Sequence, residues 1–156
     1  MFMHNGKRLP VGSAFTISGT QYPANWLSLS SMDEKLAIGI SEIVEGTRPD
    51  DRFYWVQDNN DGTFTATPKE LSDAAGVIGL KTVWIGTLKG TAGSLLAPTD
   101  WKVIRAAEGG PAVDVPTSTF RTAVRAKSNE VEAAIVAATT VEALITAVSG
   151  IVWPTP

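Results

Sequence analysis

The apolar residues change rhythm near the middle of the chain. In the first half they alternate over short distances. "KRLPVGSAFTISGTQYP" sets Leu9, Val11, Phe15 and Ile17 among polar neighbours, punctuated by Gly12 and by Ser18-Gly19, which predicts short strands joined by turns. Ser31 followed three residues later by Glu34 has capping-box spacing and predicts a short helix over 32–38, ended by Gly39. Two β-prone runs, 53–57 and 63–67, flank "DNNDG". Residues of that kind tolerate positive φ, so the pair predicts a β-hairpin. Pro68 stops its second strand, and Thr67 is placed to cap a turn of helix at "PKELS".

In the second half the spacing becomes helical. Leu80, Trp84, Leu88 and Leu95 form a stripe of fours and sevens. Gly86, Gly90 and Gly93 each weaken such a helix by about 1 kcal/mol relative to alanine, which predicts close packing or a kink at "LKGTAGSLL". Pro98 closes it, and "TDWKVIR" is read as a short strand entered through a Thr99-Asp100 turn. "AAEGGPAVDVP" follows as a linker. The strongest helical signal runs over 117–138, with Phe120, Val124, Val131, Ala134 and Ala138 at heptad core positions and Lys127 interrupting them. Its charges oppose the helix dipole, with Arg121 and Arg125 early and Glu130 and Glu132 late. A solvated face bearing small penalties explains this order, and so does a partner of matching charge lying alongside. Thr139 and Glu142 form a second capping-box spacing before "VEALITAVSG", with Gly150 as its C-cap.

The expected architecture is α+β. An N-terminal antiparallel β part with a hairpin and one short helix occupies 1–72. A mostly helical C-terminal part occupies 73–156, with a linker near 106–116. At 156 residues, 44% hydrophobic and 19% charged, the chain has the balance of a folded protein of one domain or two small ones. Its net charge is −3, and eight of the 16 acidic residues but only five of the 13 basic ones precede Ala66. No basic footprint marks a nucleic-acid binder. There is no cysteine, so disulfides, thiolate catalysis and cysteine-based metal sites are excluded. "MFMHNGKRLP" lacks the apolar stretch of a signal peptide, and runs such as "AAIVAA" are far short of a membrane span. The expectation is a cytoplasmic protein with no membrane partner and no cofactor.

Candidate chemistry is sparse. The single histidine, His4, has no acidic sequence neighbour, and no nucleophile elbow, phosphate loop or dinucleotide fingerprint occurs. "QDNNDG" can be aligned on a calcium loop with Gly62 sixth. Gln57 then stands first and Pro68 twelfth, so both anchoring carboxylates are missing and a hairpin turn explains the residues better. Asp50 and Asp51 are adjacent and point apart in extended chain, which fits a turn charge-paired with Arg48 and Arg52 rather than an acid–base pair. The aromatics Tyr22, Trp26, Phe53, Tyr54, Trp55, Phe64, Trp84 and Trp101 read first as core. A glycan-stacking platform using Tyr54 and Trp55 would require two exposed rings on one face. The residues argue for no enzymatic activity.

Three stretches taken together, "TDWKVIRAAEGG", "FRTAVRAKSNEVEAAIVAATTVEALI" and the closing "WPTP", resemble the C-terminal half of bacteriophage tail-fibre assembly proteins and related tail proteins. "YPANWLSLS", "GISEIVEG" and "DRFYWVQDNNDGTFTATPKEL" are similar to the front half of phage-encoded proteins linked to tails. The resemblance implies a non-catalytic protein that binds a fibre and assists its assembly or attachment in the host cytoplasm, sometimes staying on the virion tail. A permanent component of the tail, baseplate or fibre junction is the alternative, and a host-glycan-binding module a second. It also implies a structural corner at Thr99, Asp100, Trp101 and Arg105 and an end motif at Trp153, Pro154 and Pro156. Trp101, Arg105, Arg121, Arg125, Trp153, Pro154 and Pro156 are thus the candidate partner-binding residues, facing fibre or tail proteins or other copies of the chain. Trp153 alone can equally be seated in an apolar pocket of its own domain.

Overall fold

A computed structural model describes residues 1–156. The chain is α+β, with its antiparallel strands in the N-terminal half and its long helices in the C-terminal half. It divides into two compact units, Met1–Thr67 and Pro68–Pro156.

The first unit is built from tight turns. β1 (Phe2–His4) and β2 (Lys7–Leu9) are joined by Asn5-Gly6, and β3 (Phe15–Ile17) and β4 (Thr20–Tyr22) by Ser18-Gly19. All four turn residues have positive φ, between 48° and 83°, the conformation that matches hairpin twist. α1 (Trp26–Leu29) and α2 (Met32–Ala37) follow, the latter closed by a full capping box between Ser31 and Glu34. β5 (Ile40–Glu42) then pairs with β1, giving the order β2-β1-β5. β6 (Tyr54–Asp58) and β7 (Phe64–Pro68) form the expected hairpin. Ile17, Leu27 and Ile40 make the core, ringed by Phe2, Leu9, Phe15, Tyr22, Trp26 and Ile38. The unit has two short helices where the sequence predicted one. α1 is only four residues long, below the length at which periodicity registers.

The second unit is helical. α3 (Leu80–Leu96), α4 (Asp100–Ala107), α5 (Val115–Ala137) and α6 (Val141–Val148) follow in order, with a 3-10 turn at Ala97–Thr99. α3 and α5 are antiparallel. Lys81 Nζ near the start of α3 donates to the Val136 carbonyl near the end of α5 at 2.8 Å. Lys89 and Glu132 pair at 2.9 Å midway, and Arg121 reaches the Leu96 carbonyl at the other end. No helix is long and apolar enough to cross a membrane.

Several expectations are corrected here. "TDWKVIR" is helix, not strand, because Pro98 opens a 3-10 turn and Asp100 then stands in the first turn of α4, where a carboxylate favours helix. The "PKELS" turn does not form. The Glu70 and Leu71 carbonyls instead accept from the Leu80 and Lys81 amides, and Asp73 accepts from the Gly79 amide at 2.7 Å and the Thr82 hydroxyl at 3.0 Å. Those bonds tie residues 68–79 to the start of α3, so the division falls after Thr67 rather than after residue 72. The stretch near 106–116 is a corner within the helical unit, fastened by the Gly110 amide on the Arg105 carbonyl. α3 is one continuous helix, and a Cβ at Gly86, Gly90 or Gly93 would meet nothing within 4 Å, so these glycines do not serve close packing. The buried stripe of α5 is Thr117, Phe120, Arg121, Val124, Ser128, Val131 and Ile135. Ser128 and Ile135 replace Lys127 and Ala134 because a straight helix drifts out of a 3.5-residue repeat. Thr140, not Thr139, caps α6, accepting from the Ala143 amide at 3.1 Å.

Candidate partner-binding surface

The corner between α3 and α5 is organised by one arginine. Arg121 is 6% exposed, and both terminal nitrogens of its guanidinium find acceptors within the chain. Nη1 donates to the Leu96 carbonyl at 2.9 Å and to the Thr99 hydroxyl at 2.6 Å, and Nη2 meets Asp100 at 2.8 Å. The Leu96 carbonyl lies at the C-terminal end of α3, where helices leave acceptors unpaired and favour positive charge. The charge order of α5 thus has a local explanation. Arg121 opposes the dipole of its own helix but complements that of the antiparallel α3, and Glu132 pairs with the Lys89 side chain midway along α3.

Lys102 fastens α4 to the start of α5. Its ammonium donates to Asp114 at 2.7 Å and to the Thr117 hydroxyl at 2.9 Å. Asp114 is also the N-cap of α5, accepting from the Thr117 amide at 2.9 Å. The Lys102 ammonium, and after it the Thr117 amide, hold the Asp114 carboxyl well below the usual carboxylate range.

The consequence for α4 is an inverted helix. Its partly buried residues are Lys102 and Ala106, while Trp101 is 54% and Ile104 57% exposed. Trp101, Ile104 and Arg105 follow i, i+3, i+4 spacing and share one face. The Arg105 guanidinium lies over the Trp101 ring, 4.9 Å from its centroid, a geometry that restrains both side chains in water.

The seven residues anticipated from the sequence therefore separate. Trp101 and Arg105 come together on the outward face. Arg121 joins Thr99 and Asp100 as an internal strut, so it is removed from the contact surface because its donors are consumed within the chain. Arg125 is exposed, one turn further along α5. Trp153 packs on Ala92, Phe120 and Val124, which places its pocket in its own unit. Pro154 is half-buried, and Pro156 is exposed at the rim of a recess lined by Thr99, Pro116, Thr117 and Phe120. Ile104, Lys102 and Asp114 were missed. Asp114 two residues before Pro116 is a legible helix start, whereas nothing in the sequence pairs it with Lys102.

Elsewhere many polar groups serve local structure, while Arg8 reaches Glu45 at 3.8 Å and Asp58 at 3.9 Å within the first unit. Arg48 bridges Asp51 at 3.1 Å and Arg52 bridges Asp50 at 2.6 Å. The hairpin carboxylates point back into their own turn, Asp58 accepting from the Asn60 amide and Asp61 from the Thr63 amide and hydroxyl. Tyr54 and Trp55 fall on opposite faces of β6, half-buried and 66% exposed respectively, so these two rings do not form a shared platform. Compared with known proteins, the chain matches no family model, no curated protein and no solved structure.

Proposed function

We propose that the chain is a non-catalytic phage tail-fibre-associated protein that binds a fibre, through the outward face of α4, and assists its assembly or attachment. The observation that carries this reading is the orientation of α4. A helix that turns Lys102 inward and leaves Trp101 and Ile104 in water forgoes burial of about 1.5–3 kcal/mol per large apolar side chain. A fibre partner covering that face recovers it. Tryptophan and arginine dominate the energetics of protein contacts, and here they are pre-stacked on a corner that Arg121 and Lys102 make rigid. The sequence resemblance supplies the class of partner. Fibre shafts expose strand edges while they fold and assemble, and an apolar helix face with a cation beside it suits such a surface.

The test is co-expression with the fibre protein of the same phage, followed by counting both chains in lysate and in purified particles. Co-purification with fibre trimers in lysate is expected. A fixed ratio of copies per fibre in the particle would make the protein a permanent tail component, and loss before maturation would make it a chaperone. Absence from every fibre-containing complex in both samples overturns the proposal.

A further inference from the structure

α5 carries a second stripe on the side opposite its buried one. Thr122, Ala126, Asn129, Ala133 and Val136 are all exposed, Val136 at 59%. Their spacing of four, three, four and three residues is the heptad spacing of a coiled-coil seam. With Ala126 and Ala133 at a, the d positions are Thr122, Asn129 and Val136. Arg125 and Glu132 then stand at g, and Ala123, Glu130 and Ala137 at e. Two of the four charges answer α3, Arg121 through the Leu96 carbonyl and Glu132 through Lys89. The other two do not. Arg125 has no hydrogen-bonding or ionic partner within the chain. Glu130 meets Lys127 on its own helix at 3.0 Å and is still 69% exposed, and a carboxylate accepts a second cation. Arg125 and Glu130 flank the seam on opposite sides, five residues apart. That is the separation at which a g residue meets the e residue of the facing helix in a parallel pair.

We propose that this seam joins two copies of the chain, their α5 helices parallel about a two-fold axis. Charge complementarity selects that occupant and that direction. In a parallel pair each Arg125 faces Glu130 of the partner copy, so one contact is made twice. An antiparallel pair centred on Asn129 sets Arg125 level with Ala133 and Glu130 level with Ser128, leaving neither charge an opposite. The seam residues fit the same arrangement. Alanine at both a positions allows helix axes toward the close end of the usual range, about 8 Å. Asn129 meets its own copy in register, where one amide donates and the other accepts, and a slip of one heptad loses that bond. About two heptads of small side chains bury less than a standard interface, so the dimer is weak. This contact is separate from the fibre-binding face of α4.

The test is sedimentation of the full chain at rising concentration. A dimer forming near about 100 μM is expected. Arg125→Glu and Glu130→Arg should each weaken it at least about tenfold, because both facing pairs then carry like charges. Both positions are exposed, so the variants should unfold close to wild type. An equimolar mixture of the two variants should dimerise again, since every facing pair is then opposite in charge. A purely local role for either residue gives no such rescue. A wild-type chain that stays monomeric to about 1 mM overturns the proposal, as do charge variants that dimerise like wild type or a mixture that stays monomeric.

Discussion

Phe15, Tyr22 and Trp26 in the N-terminal unit bury one another. Phe15 and Tyr22 stack at 5.1 Å, and Trp26 meets both edge-on at 4.9 and 6.0 Å. In the helical unit Trp101 is exposed, and a guanidinium rather than another ring lies against it. Trp153, in the same unit, has a seat over Phe120. The comparison teaches that exposure at Trp101 is not a shortage of core. The corner is arranged with its polar anchors inward, through Arg121 and Lys102, and its apolar residues outward.

The largest expected effect breaks the buried side of this comparison. Trp26→Ala removes the ring that meets both Phe15 and Tyr22, at a cost of about 3 kcal/mol, and amide exchange should quicken across β3, β4 and α1. Unchanged exchange there would show that the cluster does not hold the unit together. Arg121→Met comes next. It keeps the volume of the stem but takes the guanidinium from the Leu96 carbonyl, the Thr99 hydroxyl and Asp100, the first two keeping only their bond to each other, at about 1–2 kcal/mol, discounted because Asp100 is half in water. Chemical denaturation measures it. Arg121→Lys should recover only part of the loss, since an ammonium lacks the fork that reaches three acceptors.

These anchors also mark what was legible in the sequence. The β6–β7 hairpin and the α2 capping box were readable because each is written in adjacent residues, and Asn60 and Gly62 do take the positive φ that "DNNDG" foretells. α5 was readable from its period, though not which of Lys127 and Ser128 turns inward. α4 was misread because "WKVI" is β-prone locally while Asp100 and the preceding 3-10 turn, both context, favour helix. Arg121 looked like a surface charge. Its partners Leu96, Thr99 and Asp100 lie 21 or more residues away in sequence, and two of its acceptors are a carbonyl and a hydroxyl. Pairings at that distance leave no local pattern. The Trp153 seat was foreseeable from residue type alone, but its occupants on α3 and α5 were not.

A smaller effect concerns pH. The folded Asp114 carboxyl is held below its ordinary range, so its contribution is complete above about pH 4 and is lost as the pH falls further. Protection factors at the Thr117 and Ser118 amides, taken against the intrinsic exchange rate at each pH, should therefore fall on acidification. Asp114→Asn keeps a capping oxygen but gives up the charge facing Lys102, so its protection factors at those amides should change less between about pH 5 and pH 2. An equal response in both proteins would remove Asp114 from the corner's support.

The smallest effect on stability is the most informative. Trp101→Ala should alter unfolding free energy by no more than about 0.5 kcal/mol, as for surface positions generally. The decisive measurement sets that value beside fibre binding, comparing wild type, Trp101→Ala and Ile104→Ala for affinity to the fibre protein and for thermal unfolding. The account predicts unfolding close to wild type with binding weakened at least about thirtyfold. Binding unchanged in both variants, or a loss of binding that only tracks a loss of folding, would contradict the claim that the outward face of α4 is the contact surface.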